Sequence, residues 1–160
     1  MILTVVFYLV VFFDQLTKWW AYHKLRPMKE IELIKDALYF KYDTNDGMAF
    51  GLLDDKRWIF LTVTVVVLAA IVIFYNKTKK IKRKPVFDIS LGLILGGGVG
   101  NMIDRTFFSD TLFGGSVIDF IDVRLINFAI FNLADSAVCV GAALFCIYMI
   151  FFAEKDGWNV

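Results

Sequence analysis

Residues 131–152, FNLADSAVCVGAALFCIYMIFF, combine a long apolar run with two polar side chains near its start. The run is long enough to predict a membrane-crossing helix, because about 20 apolar residues in a helix span the hydrocarbon core of a bilayer. Asn132 and Asp135 are the exceptions, since ionisable side chains in such helices are costly and usually functional. We therefore look in the rest of the chain for polar residues that Asn132 and Asp135 contact.

Three further apolar runs are also long enough to predict membrane-crossing helices. The predicted spans are about residues 2–22, 58–75, 86–105 and 128–152. In addition, 59% of the 160 residues are hydrophobic, whereas soluble domains have about 45–50%. We therefore expect one integral membrane domain, residues 1–160, built as an all-α bundle of four transmembrane helices. The net charge of +1 gives no reason to expect a nucleic-acid partner.

The distribution of basic residues predicts the orientation in the membrane. Six of the ten residues in the loop 76–85, NKTKKIKRKP, are Lys or Arg, and such density marks a cytoplasmic loop. Both termini are then cytoplasmic, and loops 23–57 and 106–127 lie outside. The first outer loop is partly alternating and rich in Tyr and Phe, which predicts short strands at the membrane surface. In the second, Gly114 and Gly115 indicate a turn.

The polar residues of the spans fall in one layer. With a helical rise of about 1.5 Å per residue, Asp14, Asn101, Asp104 and Asp135 all lie in the outer half of the bilayer. Independent positions would not converge in this way by accident. The pattern therefore predicts a single polar site near the outer surface.

Two clusters in this layer have structural as well as functional interpretations. Asp14 and Lys18 are four residues apart, so they form either a helix-stabilising pair with Lys18 extending outward or part of the site. Asp104 and Arg105 form either a structural pair that ties a span to a loop or another part of the site. Both alternatives remain open from the sequence.

Asp119 in SVIDFID is the expected partner of Asp135, provided that its loop folds back over the mouth of the fourth span. Two adjacent carboxylates in low dielectric cannot both ionise cheaply and share a proton. Such a pair suits aspartic peptide hydrolysis, but it equally suits a proton relay in a transporter. Asp122 is expected to be a solvated charge beside Arg124. No metal or cofactor is expected.

The remaining distinctive residues have structural interpretations. Cys139 and Cys146 are too far apart on one helix for a disulfide, and we expect both in the core. His23 is expected to be exposed at a membrane boundary. Glycines at four-residue steps predict close helix packing: Gly92, Gly96 and Gly100.

Five motifs in order carry a resemblance that covers nearly the whole chain. They are DQLTK at 14–18, NDGMAF at 45–50, GNMIDR at 100–105, VIDF at 117–120 and FNLADS at 131–136. With these motifs the chain resembles the bacterial lipoprotein signal peptidases, or signal peptidase II. Met48 is a departure, because the family more often has Ala there. The resemblance implies four spans with a small extracytoplasmic β-sheet cradle and a short interfacial helix.

The resemblance also implies the site residues and the substrate. The family's catalytic aspartates fall on Asp119 and Asp135. Its supporting residues fall on Asp14, Lys18, Asn45, Gly47, Asn101, Asp104, Arg105 and Asn132. By analogy Asn45 and the Gly47 backbone orient the substrate, Arg105 meets a backbone carbonyl, and Asn101 and Asn132 fix the carboxylates.

The implied substrate is a prolipoprotein whose cysteine carries diacylglycerol, cleaved on the amino side of that cysteine. Membrane lipids are the other expected partners. The expected location is the bacterial cytoplasmic membrane, with the site at its outer face. The protein is expected to be a monomer. Two alternatives remain: a small proton-coupled transporter using Asp14, Asp104 and Asp135, and a non-catalytic protein that binds lipoprotein precursors.

Overall fold

The computed structural model describes residues 1–45, 57–78, 81, 83–108 and 115–158, with the backbone alone at 57–60. Within these ranges the helices are α1 (Ile2–Trp20), α2 (Arg26–Met28), α3 (Arg57–Lys77), α4 (Pro85–Phe107) and α5 (Leu133–Phe151). The strands are β1 (Glu30–Ile34), β2 (Leu38–Asn45) and β3 (Val117–Asp122). A π-helical turn, Ala21–Leu25, joins α1 to α2.

Helix α4 lies between α1 and α5, and its glycines make that position possible. A Cβ on Gly96 would lie 2.7 Å from the Cβ of Val10 in α1. On the other side, a Cβ on Gly97 would overlap the carbonyl oxygen of Ala134 in α5. The prediction of close helix packing through small residues is therefore confirmed.

Among the described residues, three helices are long and apolar enough to cross a membrane: Ile2–Met28, Pro85–Phe107 and Leu133–Phe151. The described apolar part of α3, Leu61–Lys77, is shorter, so the four-span architecture remains a prediction. The expectation of core positions for Cys139 and Cys146 is wrong, because both are exposed on α5. Hydrophobicity misleads here, since the outer face of a membrane helix is as apolar as its packed face.

Helix α5 begins at Leu133, five residues later than the predicted span beginning at 128. Its start is a capping box. The Asp135 backbone N–H donates to Asn132 Oδ1 at 2.9 Å, and the Asn132 backbone N–H donates to Asp135 Oδ2 at 3.1 Å. Each side chain thus satisfies a free N–H at the helix end, which is the structural reason for two polar residues at this point in the apolar run.

The strands form an antiparallel sheet in the order β1-β2-β3. The strands predicted in the first outer loop are β1 and β2, whereas β3 in the second outer loop was not predicted. Gly115, interpreted as part of a turn, instead lies against α4: its N–H donates to the Arg105 carbonyl at 3.1 Å, and a Cβ would overlap the Asp104 carbonyl oxygen. Gly114 lies outside the described residues.

A short antiparallel β-bridge joins β3 to the residue just before the N-cap of α5. The Ile121 N–H donates to the Phe131 carbonyl at 2.8 Å, and the Phe131 N–H donates back to Ile121 at 3.1 Å. The residues from β3 to α5 therefore form a closed hairpin. Within the described outer segments 29–45 and 115–132, the separate helical piece is the 3-10 turn Arg124–Ile126, so the implied interfacial helix has no longer counterpart there.

Candidate active site

Asn132 joins the two carboxylates that the sequence singled out. It is fully buried at the start of α5. Its side-chain Nδ2 donates to Asp119 Oδ1 at 2.6 Å, and its backbone N–H donates to Asp135 Oδ2 at 3.1 Å. Two aspartates that are sixteen residues apart in sequence are thus held by one residue.

Asp119 lies in β3 and is 3% exposed. Its second oxygen, Oδ2, accepts from Asn45 Nδ2 at 3.1 Å. Burial and then the neighbouring charge of Asp135 raise the pKa of the Asp119 carboxyl to about 7, against the lowering effect of the hydrogen bonds from Asn45 and Asn132. Asp119 is therefore a carboxyl able to hold a proton near neutral pH.

Asn101 connects Asp135 to a buried cation. Its Nδ2 donates to Asp135 Oδ1 at 2.7 Å, while its Oδ1 accepts from Lys18 Nζ at 2.8 Å. An ammonium bonded to an amide oxygen polarises the amide, so its N–H groups become stronger donors. The charge of Lys18 thereby acts on Asp135 through one side chain.

Lys18 is also the centre of a buried ion-pair triad. Its Nζ lies 2.9 Å from Asp14 Oδ2 and 3.0 Å from Asp104 Oδ2. The interpretation in which Lys18 extends outward is therefore wrong. The carboxylates have further roles: Asp14 Oδ1 accepts from the Ala134 N–H at 3.0 Å, and Asp104 Oδ2 from the Ile118 N–H at 3.1 Å. The triad ties α1, α4, α5 and β3 together.

Gln15 belongs to this cluster, although the sequence analysis did not select it. Its Nε2 lies 3.0 Å from Asp104 Oδ1, 3.2 Å from Asp14 Oδ2 and 3.2 Å from the Gly100 carbonyl oxygen. The available signal was its position: an amide beside Asp14 in an apolar helix needs buried partners. Its side-chain nitrogen therefore donates to acceptors of the polar layer instead of facing lipid.

A cleft of about 320 Å³ opens beside Asp135 between α3, α4 and α5. Asn101 and Arg105 line it next to Asp135, and the rest of its described wall is mostly apolar. Of the supporting residues taken from the resemblance, Gly47 lies outside the described residues. The others lie in this hydrogen-bonded layer or line the cleft.

Asp122 and His23 lie outside the polar layer, and the sequence predicted the surroundings of both. The expectation that Asp122 is a solvated charge is wrong, because it is buried and pairs with Arg124 Nη2 at 2.8 Å. Tyr39 lies opposite Asp122 in the sheet, and this pairing of β2 with β3 was not visible from sequence. His23 is exposed, as expected.

The arrangement supports acid–base chemistry beside the cleft that Asp135 lines. One carboxyl holds a proton near neutral pH, and a second lies close enough to interact with its charge. Such a pair can take a proton from water with one member and give a proton to a carbonyl oxygen with the other.

The comparisons with known proteins agree on one family. The family model described as signal peptidase (SPase) II matches residues 6–151. The lipoprotein signal peptidase of Halothermothrix orenii is 39% identical over 145 residues, which are 91% of this chain and 92% of that protein. That of Geobacillus kaustophilus is 38% identical over 152 residues, 94% of each chain.

A solved structure shows the same likeness in three dimensions. It is described as a bacterial membrane enzyme and matches with a TM-score of 0.81 at 29% sequence identity. The match covers 99% of this chain and 93% of that chain.

Proposed function

The chain belongs to the signal peptidase II family, and from that membership we propose that it removes signal peptides from diacylglyceryl-modified prolipoproteins. It acts as an aspartic endopeptidase that cuts on the amino side of the lipidated cysteine. The names of the lipoprotein signal peptidases it resembles support this substrate class. One observation supports the choice of catalytic residues: Asn132 bonds to both Asp119 and Asp135, and Asp135 lines a cleft.

In the proposed reaction the two carboxylates move protons in opposite directions. Asp135 takes a proton from a water whose oxygen bonds to the scissile carbonyl carbon, while Asp119 gives its proton to the carbonyl oxygen. The resulting diol collapses: its hydroxyl proton returns to Asp119, Asp135 protonates the nitrogen, and the C–N bond breaks. The pKa of about 7 supports the initial role of Asp119 as the acid.

The supporting residues position this pair and the substrate. Asn101 and Asn132 orient the carboxylates through the hydrogen bonds described above. Asn45 and the Gly47 backbone orient the substrate peptide. Arg105, on the cleft wall, meets a backbone carbonyl. The triad Asp14, Lys18 and Asp104 holds the surrounding elements in register.

The proposal includes the placement in the membrane. Helices α1, α3, α4 and α5, which correspond to the predicted spans 2–22, 58–75, 86–105 and 128–152, cross the bacterial cytoplasmic membrane, the last of them from Leu133, and the protein acts as a monomer. The basic loop 76–85 and both termini face the cytoplasm, as the charge density of that loop supports. The site then faces outward, where a lipid-anchored substrate presents its scissile bond, and tethering in the membrane plane assists encounter and orientation.

The transporter alternative is not supported. In the described parts of the chain, the buried carboxylates are Asp14, Asp104, Asp119 and Asp122. Asp14 is bonded to the start of α5, and hydrogen bonds or ion pairs join the other three to the sheet or its neighbouring turn. The described opposite end of the bundle is a cluster of aromatic side chains that includes Phe87, Tyr148 and Trp158. A proton relay would have to continue through that end.

The test is cleavage of a diacylated prolipoprotein in nanodiscs, with mass measurement of the released signal peptide. We expect Asp119→Asn and Asp135→Asn each to lose at least about 100-fold in rate, the range for removal of a general acid or base. Asp122→Asn is the matched control, because it makes the same change on the same strand at a residue paired with Arg124.

The outcomes separate the hypotheses. Wild-type rates in either folded dyad variant would exclude the proposed catalytic pair. Binding of the precursor by the wild-type protein without any released peptide would instead favour the non-catalytic alternative.

A further inference from the structure

The hairpin between β3 and α5 has an apolar tip. Leu125, Ile126 and Phe128 are 73%, 67% and 58% exposed. A closed turn presents them: the Asn127 N–H donates to the Arg124 carbonyl at 3.0 Å, and Asn127 adopts a left-handed conformation with φ 49°. Large apolar side chains clustered on an exposed turn mark an interaction surface rather than ordinary water-facing surface.

The tip is attached firmly to the sheet. The Leu125 N–H donates to the Ala37 carbonyl at 3.2 Å, which joins the tip to the turn between β1 and β2. The ring of Phe128 packs edge-on against Phe131 at 5.7 Å. Ile34, the last residue of β1, is 58% exposed. The β1–β2 turn after it also exposes Lys35 and Asp36, so the apolar surface is concentrated on the hairpin tip.

The helix ends on the sheet side present exposed aromatic rings. The bond between Asp14 and the Ala134 N–H sets the start of α5 level with Asp14. Trp19 is five residues further along α1, or about 8 Å nearer the sheet. Trp19 and Phe107 are 55% and 70% exposed. Exposed aromatic rings at helix ends mark the membrane–water interface, and Phe128 precedes α5 on the same side.

The charge nearest the tip is neutralised within the sheet. Arg124 Nη2 lies 2.8 Å from Asp122 Oδ2 and 3.0 Å from Glu30 Oε2, and its guanidinium lies 3.7 Å from the centre of the Tyr39 ring. These contacts hold the cation against the sheet. The exposed side chains of the tip are apolar except for Asn127 and carry no charge, which suits lipid better than a charged protein surface.

We propose that Leu125, Ile126 and Phe128 insert into the lipid leaflet on the sheet side and anchor the strand that carries Asp119. The helix ends on the same side carry exposed aromatic rings and the tip is apolar and uncharged, so lipid is the occupant that the surroundings indicate. The anchor fixes the height of Asp119 relative to Asp135, because the hairpin is the covalent link between their elements. Insertion does not depend on the proposed peptidase activity, whereas the positioning effect does.

The first test measures depth. Ile126→Cys is labelled with a nitroxide in a Cys139→Ala/Cys146→Ala background, in nanodiscs of phosphatidylethanolamine and phosphatidylglycerol. The matched control is Lys41→Cys on β2, an exposed residue of the same sheet. Spin relaxation should show position 126 open to oxygen and shielded from a water-soluble nickel chelate, with the reverse at position 41.

Two results would overturn the anchor. Equal access of the nickel chelate to positions 126 and 41 would place the tip in water. Shielding of position 126 from both reagents would show that protein, such as a second copy of this chain, covers the tip.

The second test measures positioning. Leu125→Gln/Ile126→Gln should lower processing of a lipidated precursor several-fold in nanodiscs through a lower kcat, because Asp119 is displaced relative to Asp135, while Leu125→Ile/Ile126→Leu should not. The glutamine variant should unfold at the wild-type temperature, because its changes are on exposed side chains. The glutamine variant is labelled at Phe128→Cys to report whether its tip has left the lipid. Unchanged processing by a variant whose tip is open to the nickel chelate would overturn the positioning role and would leave the peptidase assignment intact.

Discussion

Two cations in this molecule have almost the same geometry and different surroundings. Lys18 lies 2.9 and 3.0 Å from two carboxylates, and Arg124 lies 2.8 and 3.0 Å from two others. The Lys18 side chain is 3% exposed and the Arg124 side chain 40% exposed. Distances alone would rank the two networks as equals, but water reaches only one of them.

Burial changes what each network does. Around Arg124, solvent screens the charges, and such pairs contribute about 0–1 kcal/mol. Around Lys18, each charge depends on its partners, and removal of one partner of a buried pair costs about 3–5 kcal/mol. The buried network therefore controls the geometry of the site. The exposed network lies on the surface of the sheet and contributes little to stability.

The largest expected effect is that of Lys18→Met. We expect a loss of about 3–5 kcal/mol in the free energy of unfolding, because Asp14 and Asp104 keep buried charge without a cation. Cleavage should fall as well, since Asn101 loses the donor that polarises it. Unfolding in detergent micelles and the cleavage assay measure the two effects.

Lys24→Met is the control for Lys18→Met, because Lys24 is an exposed lysine in the following turn. Equal stability of the two variants would show that the buried network carries no special energy.

Gly100→Ala should disturb the buried network without altering any charge. A Cβ at Gly100 would lie 2.5 Å from Asp14 Oδ2, so the carboxylate has to move. We expect a loss of about 1–3 kcal/mol, the usual range for overpacking. Gly98→Ala is the matched control for stability, because its Cβ would meet the end of the Leu68 side chain, which can rotate away. Equal unfolding temperatures for the two variants would contradict this account.

Asp119→Asn should stabilise the protein while it removes activity. The raised pKa of about 7 means that the folded state binds the Asp119 proton more tightly than the unfolded state. Stability from this group is therefore present at low pH and is lost as the pH rises from about 4 through about 7. We expect the variant to exceed the wild type at pH 8 by on the order of 1–2 kcal/mol, with a smaller difference at pH 5.

Unfolding measured across this pH range checks the Asp119 prediction, with Asp122→Asn as the control for loss of a carboxyl on β3. A variant that gains stability only at acid pH would reverse the sign and refute the argument. The wild-type kcat/KM should also decline above about pH 7, as Asp119 loses its proton.

The smallest effect is expected for Glu30→Gln at the exposed network. The change removes one partner of Arg124, whose side chain is 40% exposed while that of Glu30 is 46% exposed. We expect less than about 1 kcal/mol, and less still at high salt. An effect as large as that of Lys18→Met would mean that burial does not separate the two networks.

The sequence predicted the helices better than their ends. Apolar runs located α1, α3, α4 and α5, and alternation located β1 and β2. Helix α5 begins five residues later than its apolar run suggests, because a capping box, not hydrophobicity, determines the first helical residue. β3 was missed because VIDF is as apolar as the neighbouring spans, and only its pairing with β2 distinguishes it.

Site residues were predictable where spacing or motif marked them. Asp14, Asn101, Asp104 and Asp135 were placed in one layer by counting helical rise, and the structure joins them by hydrogen bonds. Gln15, Asp122 and the two cysteines were missed or misplaced. Their surroundings depend on which helix face meets a neighbour, and a uniformly apolar helix does not encode that choice locally.

The sequence by itself determined that this is a membrane protein with a polar layer near one end, because charges in apolar helices are too costly to be placed at random. Only the tertiary structure decided which charges meet. Asp119 reaches Asn132 because β3 pairs with β2 on one side and with Phe131 on the other. Contacts between residues distant in sequence come from backbone pairing and packing, and those arise only when the whole chain has folded.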